Sequence, residues 1–153
     1  MGRGQRLEHH AGATFVSGAY LVTPLLAWVA AGGLKFVVNS LRARRLAFDL
    51  IGYGGLPSTH SAMVTSMAAL IALREGIDHA AFGVALTLAL VVMMDASSLR
   101  RQVGRHAERI NRVAAPAPGE QPLRERMGHT RVEIAAGILT GLAVAWAVNA
   151  LWP

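Results

Sequence analysis

The chain has no cysteine, which excludes disulfides, a thiol nucleophile and thiolate metal sites. It is also poor in charge. Charged residues make up 16% of the 153 residues, against about 25% in typical soluble domains. A chain this short holds one domain rather than two, and no internal repeat is visible. What it has in quantity is apolar surface: 53% hydrophobic residues and a mean hydropathy of +0.38. That composition is that of an integral membrane protein. The isoelectric point near 11.3 points first to nucleic acid. The basic residues, however, are mostly arginines set between apolar stretches, where they fit topology signals and anionic headgroups better. Nucleic acid is therefore not an expected partner; membrane lipids are.

A span needs about 20 apolar residues. The expected fold class is all-α: a polytopic membrane helix bundle with about four transmembrane helices, at about 14–34, 60–73, 80–97 and 132–151, in a single membrane domain covering 1–153. The opening residues MGRGQRLEHHAG lead into the first run without a clear cleavage site, so the first span reads as uncleaved. Pro24 lies inside it, where a proline can kink a helix. The second run is short unless His60 and its hydroxyl neighbours lie below the membrane surface. Residues 46–53, LAFDLIGY, are too few to cross and read as a short re-entrant or interfacial segment. Residues 98–131 read as a basic connector, with the proline-rich APAPGEQPL at 115–123 as its loop.

With four crossings, the loops 35–59 and 97–131 share one face. That face holds Lys35, Arg42, Arg44, Arg45, Arg100, Arg101, Arg105, Arg109, Arg112, Arg124, Arg126 and Arg131, and the other holds Arg3, Arg6 and Arg74. The positive-inside rule then places the arginine-rich face in the cytoplasm and both termini outside. The expected location is a bacterial cytoplasmic membrane.

The polar residues that interrupt apolar runs fall on that same face. Lys35 follows the first run, Pro57-Ser58-Thr59-His60 opens the second, and Asp95, Ser97, Ser98, Arg100 and Arg101 close the third. His129 and Glu133 open the fourth. Ser58 or Thr59 suits a helix N-cap, whose free N–H groups and dipole favour an anion. His129 and Glu133, four apart, share a helix face. A carboxylate there fixes the imidazole tautomer and frees the other nitrogen as a nucleophile; the bland alternative is a surface ion pair. Asp95 is either functional, as acids at apolar helix ends tend to be, or a structural partner for an arginine one turn on. Gly137 and Gly141 in GILTG are a small-xxx-small pair suited to close helix packing. His9, His10, His79 and His106 have no arranged partner in the sequence.

GGLPSTHSA, DASSLRRQVG and RERMGHTRVE, in that order, resemble the divergent branch of the type 2 phosphatidic acid phosphatase family, which is related to acid phosphatases and vanadium-dependent haloperoxidases. The resemblance covers about residues 20–150. The wider superfamily builds its site from Lys-x6-Arg-Pro, Pro-Ser-Gly-His and Ser-Arg-x5-His-x3-Asp motifs. Position by position, Lys35 and Arg42 resemble the first, with Ala43 in place of proline and Arg44 or Arg45 as alternatives to Arg42. Pro57, Ser58 and His60 resemble the second, with Thr59 in place of glycine. Ser98 with Arg100 or Arg101 resembles the front of the third, and His129 with Glu133 its back, split by nearly thirty residues and with glutamate for aspartate. Four spans replace the usual six.

The resemblance implies a lipid phosphate phosphatase acting through a phosphohistidine. Its catalytic set would be His129, His60, Glu133 and Asp95, with Lys35, Arg42, Ser58, Thr59, Arg100 and Arg101 binding substrate phosphate. The implied substrates are phosphatidylglycerophosphate, phosphatidic acid or a prenyl phosphate. The scheme needs no cofactor; Asp95, Asp49 and Glu133 leave Mg²⁺ as a minority alternative. A non-catalytic headgroup-binding module and a small transporter are the rival classes. A thin bundle makes a homodimer plausible.

Overall fold

The structure is a computed structural model that describes residues 18–46, 48, 55–114 and 119–152. Most of LAFDLIGY lies outside them, as do Asp49, His9, His10 and the start of the first predicted span.

The described residues are helical, without strands. Helix α1 spans Gly18–Ala43, α2 Thr59–Arg74, α3 Ala80–Met94, α4 Arg100–Val113 and α5 Arg131–Leu151. Asp95–Leu99 forms a π-helical turn joining α3 to α4 without a break. Three helices are long and apolar enough to cross a bilayer: Gly18–Ala43, the joined helix Ala80–Val113, and Arg131–Leu151. Helix α2, with 16 residues, is about 24 Å long at 1.5 Å per residue. It falls short of a span on its own, so the count of four is not met by length.

Two boundaries differ from expectation. The first helix runs past Leu34 to Ala43, which puts Lys35 two turns inside it. The third runs on to Val113, so the front half of the predicted connector is helix. Both differences have one cause. Hydropathy marks where lipid ends, whereas Arg, Gln, Ala and Glu are good helix formers and let a helix continue into polar surroundings.

The packing is that of helices in lipid. Helix α2 is the hub, against α1, α3 and α5. The buried residues of α1 are Ala19, Thr23, Ala27 and Ala31, four apart along one ridge, and those of α5 include Gly137, Gly141 and Ala145. Large apolar side chains point outward: Leu21 is 67% exposed, Trp28 55% and Val84 71%. Without water to drive association, small residues let backbones approach. A Cβ added to Gly141 would lie 2.5 Å from the Ala62 carbonyl oxygen, and one on Gly137 2.4 Å from that of Ser58. The GILTG pair is therefore a close-packing device, as expected.

These contacts set the directions. Ala19 packs near Leu70 and Ala31 near Ala62, so α1 is antiparallel to α2. Gly137 faces Ser58 and Gly141 faces Ala62, so α5 runs parallel to α2. The C-terminal end of α1 and the N-terminal ends of α2 and α5 thus meet at one end of the bundle. The other end is tied by Tyr20, whose hydroxyl donates to Glu75 Oε1 at 2.6 Å, and by Arg74, whose Nε donates to Asn149 Oδ1 at 3.2 Å. His79, without a partner in the sequence reading, caps α3: its Nδ1 accepts from the Ala81 N–H.

Candidate active site

The residues of the split third motif are brought together by a helix that leads out and a segment that returns. Beyond the π turn, α4 carries the chain away from the bundle, and residues 119–130 come back along it. Asn111 clamps the return. Its side-chain amide donates to the Leu123 carbonyl at 2.8 Å and accepts from the Leu123 N–H at 3.0 Å. Its amide nitrogen also lies 2.9 Å from Glu125 Oε1. Gly104 lets the returning backbone close: a Cβ there would be 2.3 Å from the Glu125 carbonyl oxygen.

The return ends on the π turn. There the helical bond pattern shifts by one residue, Arg100 N–H donating to the Asp95 carbonyl. The Ala96 carbonyl accepts from the His129 N–H at 2.9 Å. Gly128, at φ +87°, makes this docking possible, because a Cβ would sit 2.6 Å from Arg101 Cγ and 3.0 Å from the Ala96 oxygen. π turns often mark functional positions; this one anchors the loop that delivers His129.

Glu133 orients the imidazole. Thr130 caps α5 in a reciprocal capping box with Glu133, a Thr-x-x-Glu spacing readable in the sequence. One carboxylate oxygen, Oε2, receives the Thr130 N–H at 2.9 Å and lies 3.1 Å from His129 Nδ1. With Nδ1 as the donor, Nε2 carries the free lone pair. His129 is only 8% exposed. Burial holds its pKa below the ordinary histidine value, and the bond to Glu133 pulls it partly back up. The ring is therefore neutral at neutral pH, the form a nucleophile requires.

Four of the other predicted residues gather around it. His60, at the exposed second position of α2, lies within electrostatic reach of His129, Lys35, Arg100 and Asp95. Lys35, half-buried on α1, acts on both His129 and Glu133. Asp95 accepts from Arg100 Nε at 2.7 Å, which matches the arginine-partner alternative. It turns that guanidinium and leaves its terminal nitrogens unbonded among the described residues.

Three predicted phosphate ligands are placed elsewhere. Ser58 is fully buried; its hydroxyl accepts from the Ser61 N–H and hydroxyl, and its N–H donates to the Glu133 carbonyl at 2.9 Å. The close approach of α5 at Gly137 turns Ser58 into a cap facing protein. Arg42 is exposed on the last turn of α1, two turns past Lys35. Arg101 is exposed and lies against Gly128. Thr59 starts α2, and its N–H and that of His60 remain first-turn donors without a partner among the described residues. Among the described residues no three His, Asp or Glu side chains gather as metal ligands, and Asp49 lies outside them. Asn111, Gly104, Gly128 and Ala96 were not expected.

A helical membrane protein with paired histidines and cations at one set of helix ends is the architecture that the three sequence motifs pointed to. The family described as Divergent PAP2 matches residues 16–144, and the chain belongs to it. The uncharacterized membrane protein YuiD of Bacillus subtilis (strain 168) is 32% identical over 139 residues, covering 80% of this chain and 88% of its own length. No solved structure matches the chain significantly.

Proposed function

We propose that this phosphatase-related membrane protein hydrolyses the phosphomonoester of a lipid, with its site at the cytoplasmic face of a bacterial inner membrane. Phosphatidylglycerophosphate, phosphatidic acid and prenyl phosphates are the substrate range. The reading rests on one observation: a buried, Glu133-oriented His129 held within electrostatic reach of a second imidazole and of two cations.

In this mechanism Lys35, the terminal nitrogens of Arg100 and the N–H groups of Thr59 and His60 hold the non-bridging phosphate oxygens. Fixed positive charge of this kind is usually the largest catalytic contribution. His129 Nε2 attacks phosphorus, the bond to the lipid alkoxide breaks, and His60, entering the step in its protonated form, gives its proton to that alkoxide. His60 then takes a proton from water. The hydroxide attacks the phosphohistidine, breaks the N–P bond and releases inorganic phosphate. Asp95 acts through Arg100 as a positioning residue.

The test is phosphate release by the detergent-solubilised full chain from a panel of lipid phosphates. Release by wild type and its loss in His129→Ala support the reading. A His129→Ala protein that turns over at the wild-type rate overturns it, and saturable headgroup binding without any turnover makes the protein a binding module.

A further inference from the structure

We infer that the substrate headgroup carries a second phosphate, joined to the hydrolysed one through a short spacer, and that Arg101 and Arg131 bind it. The inference rests on the phosphatase reading and names its substrate class.

Two neighbouring arginines in DASSLRRQVG do different things. Arg100 turns inward to Asp95 and the histidines. The Arg101 side chain lies against Gly128, and it is not among the cations that act on either histidine. Beside it is an open depression of about 370 Å³ lined by Arg101, Met127, Gly128, His129, Thr130 and Arg131. Its size falls at the lower end of the usual range for small-molecule sites, about 300–1,000 Å³.

Its chemistry is one-sided. Among the described residues, the charged side chains lining it are two guanidiniums, and no carboxylate lines it. Both arginines are exposed, and neither has a hydrogen bond or ion pair among the described residues. Arg112, by contrast, is paired with Glu108. Glu133, beside His129, is committed to His129 and the Thr130 N–H. Guanidinium forks match phosphate oxygens.

His129 is common to the depression and to the inner cluster, so one ligand reaches both. A diphosphate places both groups on a shared oxygen, inside a single cation cluster. Two cation sets, only one of which acts on the histidines, instead suit a spacer, as in a glycerol-linked headgroup that combines a phosphodiester with a terminal phosphomonoester.

The experiment compares the full chain in mixed micelles on phosphatidylglycerophosphate, on its deacylated water-soluble counterpart and on phosphatidic acid. Wild type is expected to favour phosphatidylglycerophosphate over each of the others by about tenfold or more in kcat/KM. In Arg101→Gln/Arg131→Gln that preference over phosphatidic acid is expected to collapse through a raised KM. Equal efficiency of wild type on the two lipids, or an unchanged ratio in the double variant, overturns the inference. Equal turnover of the deacylated compound overturns its assignment to a lipid.

If no lipid phosphate is hydrolysed, the phosphatase reading fails, and binding decides the pocket separately. Phosphatidylglycerol vesicles should then bind wild type about tenfold more tightly than the double variant. Equal binding overturns the site.

Discussion

Gly128→Ala is the sharpest single perturbation of the site. The residue sits at φ +87°, where an alanine costs about 1–2 kcal/mol. Its Cβ would press on Arg101 Cγ at 2.6 Å and on the backbone at 3.0 Å and 3.1 Å. The side chain can swing away, but the Ala96 oxygen and the Arg101 nitrogen cannot. Relieving that contact breaks the His129 N–H bond to Ala96, worth about 1 kcal/mol. The docked loop therefore loses about 2–3 kcal/mol in all. If His129 acts only when docked, kcat falls by up to about 30-fold to about 150-fold. Gly119→Ala is the matched control. It has the same positive φ, +94°, but nothing within 4 Å of the added Cβ, so turnover should stay near wild type. Phosphate release gives kcat, and tryptophan fluorescence during heating reports the bundle, whose midpoint should change little. Wild-type kcat in Gly128→Ala, or an equal loss in both variants, refutes the idea that docking on Ala96 positions the nucleophile.

Other outcomes follow from the same geometry. Gly141→Leu forces a side chain into a gap where even a Cβ meets the Ala62 oxygen at 2.5 Å. It should destabilise the bundle by about 3 kcal/mol or more, read as a lowered thermal midpoint in detergent. Asn111→Leu releases Leu123 and Glu125; it should lower kcat with little change in midpoint, and equal losses of both would assign Asn111 a merely structural role. The pKa of His129 is held below its unfolded value, so the unfolded chain binds more protons near pH 6. Stability should therefore rise with pH through that window, and the acidic limb of kcat should lie below the ordinary histidine value of about 6.5. Glu133→Gln removes the bond that pulls this pKa up, so the limb should move further to acid while the plateau rate drops; an unmoved limb contradicts the assigned pairing.

Much of this arrangement was legible in the sequence, for a physical reason. Polar groups at the ends of apolar runs are costly unless they meet something, so Lys35, His60, Asp95, Arg100, His129 and Glu133 announced themselves. The spacing of His129 and Glu133 predicted their contact, but not as neighbours on one helix face, since Thr130 caps α5 and His129 lies before the helix; GILTG predicted the close approach of α5. The course of the connector was hidden, because α4 is too polar to register as a span although its residues favour helix. Ser58 was misplaced because a capping serine looks the same whether its hydroxyl faces a ligand or another helix; only the neighbouring glycine on α5 decides. The anchor of His129 is a main-chain carbonyl, which no side chain advertises. Gly128 beside the histidine was its one trace.

The central claim is that His129 becomes covalently phosphorylated during turnover. Mixing the full chain with a lipid carrying a labelled terminal phosphate and quenching in base should leave acid-labile label on His129, and none on a His129→Ala chain. Phosphate release by wild type with no labelled histidine at any quench time, or with label equally retained after His129 is removed, would contradict the account.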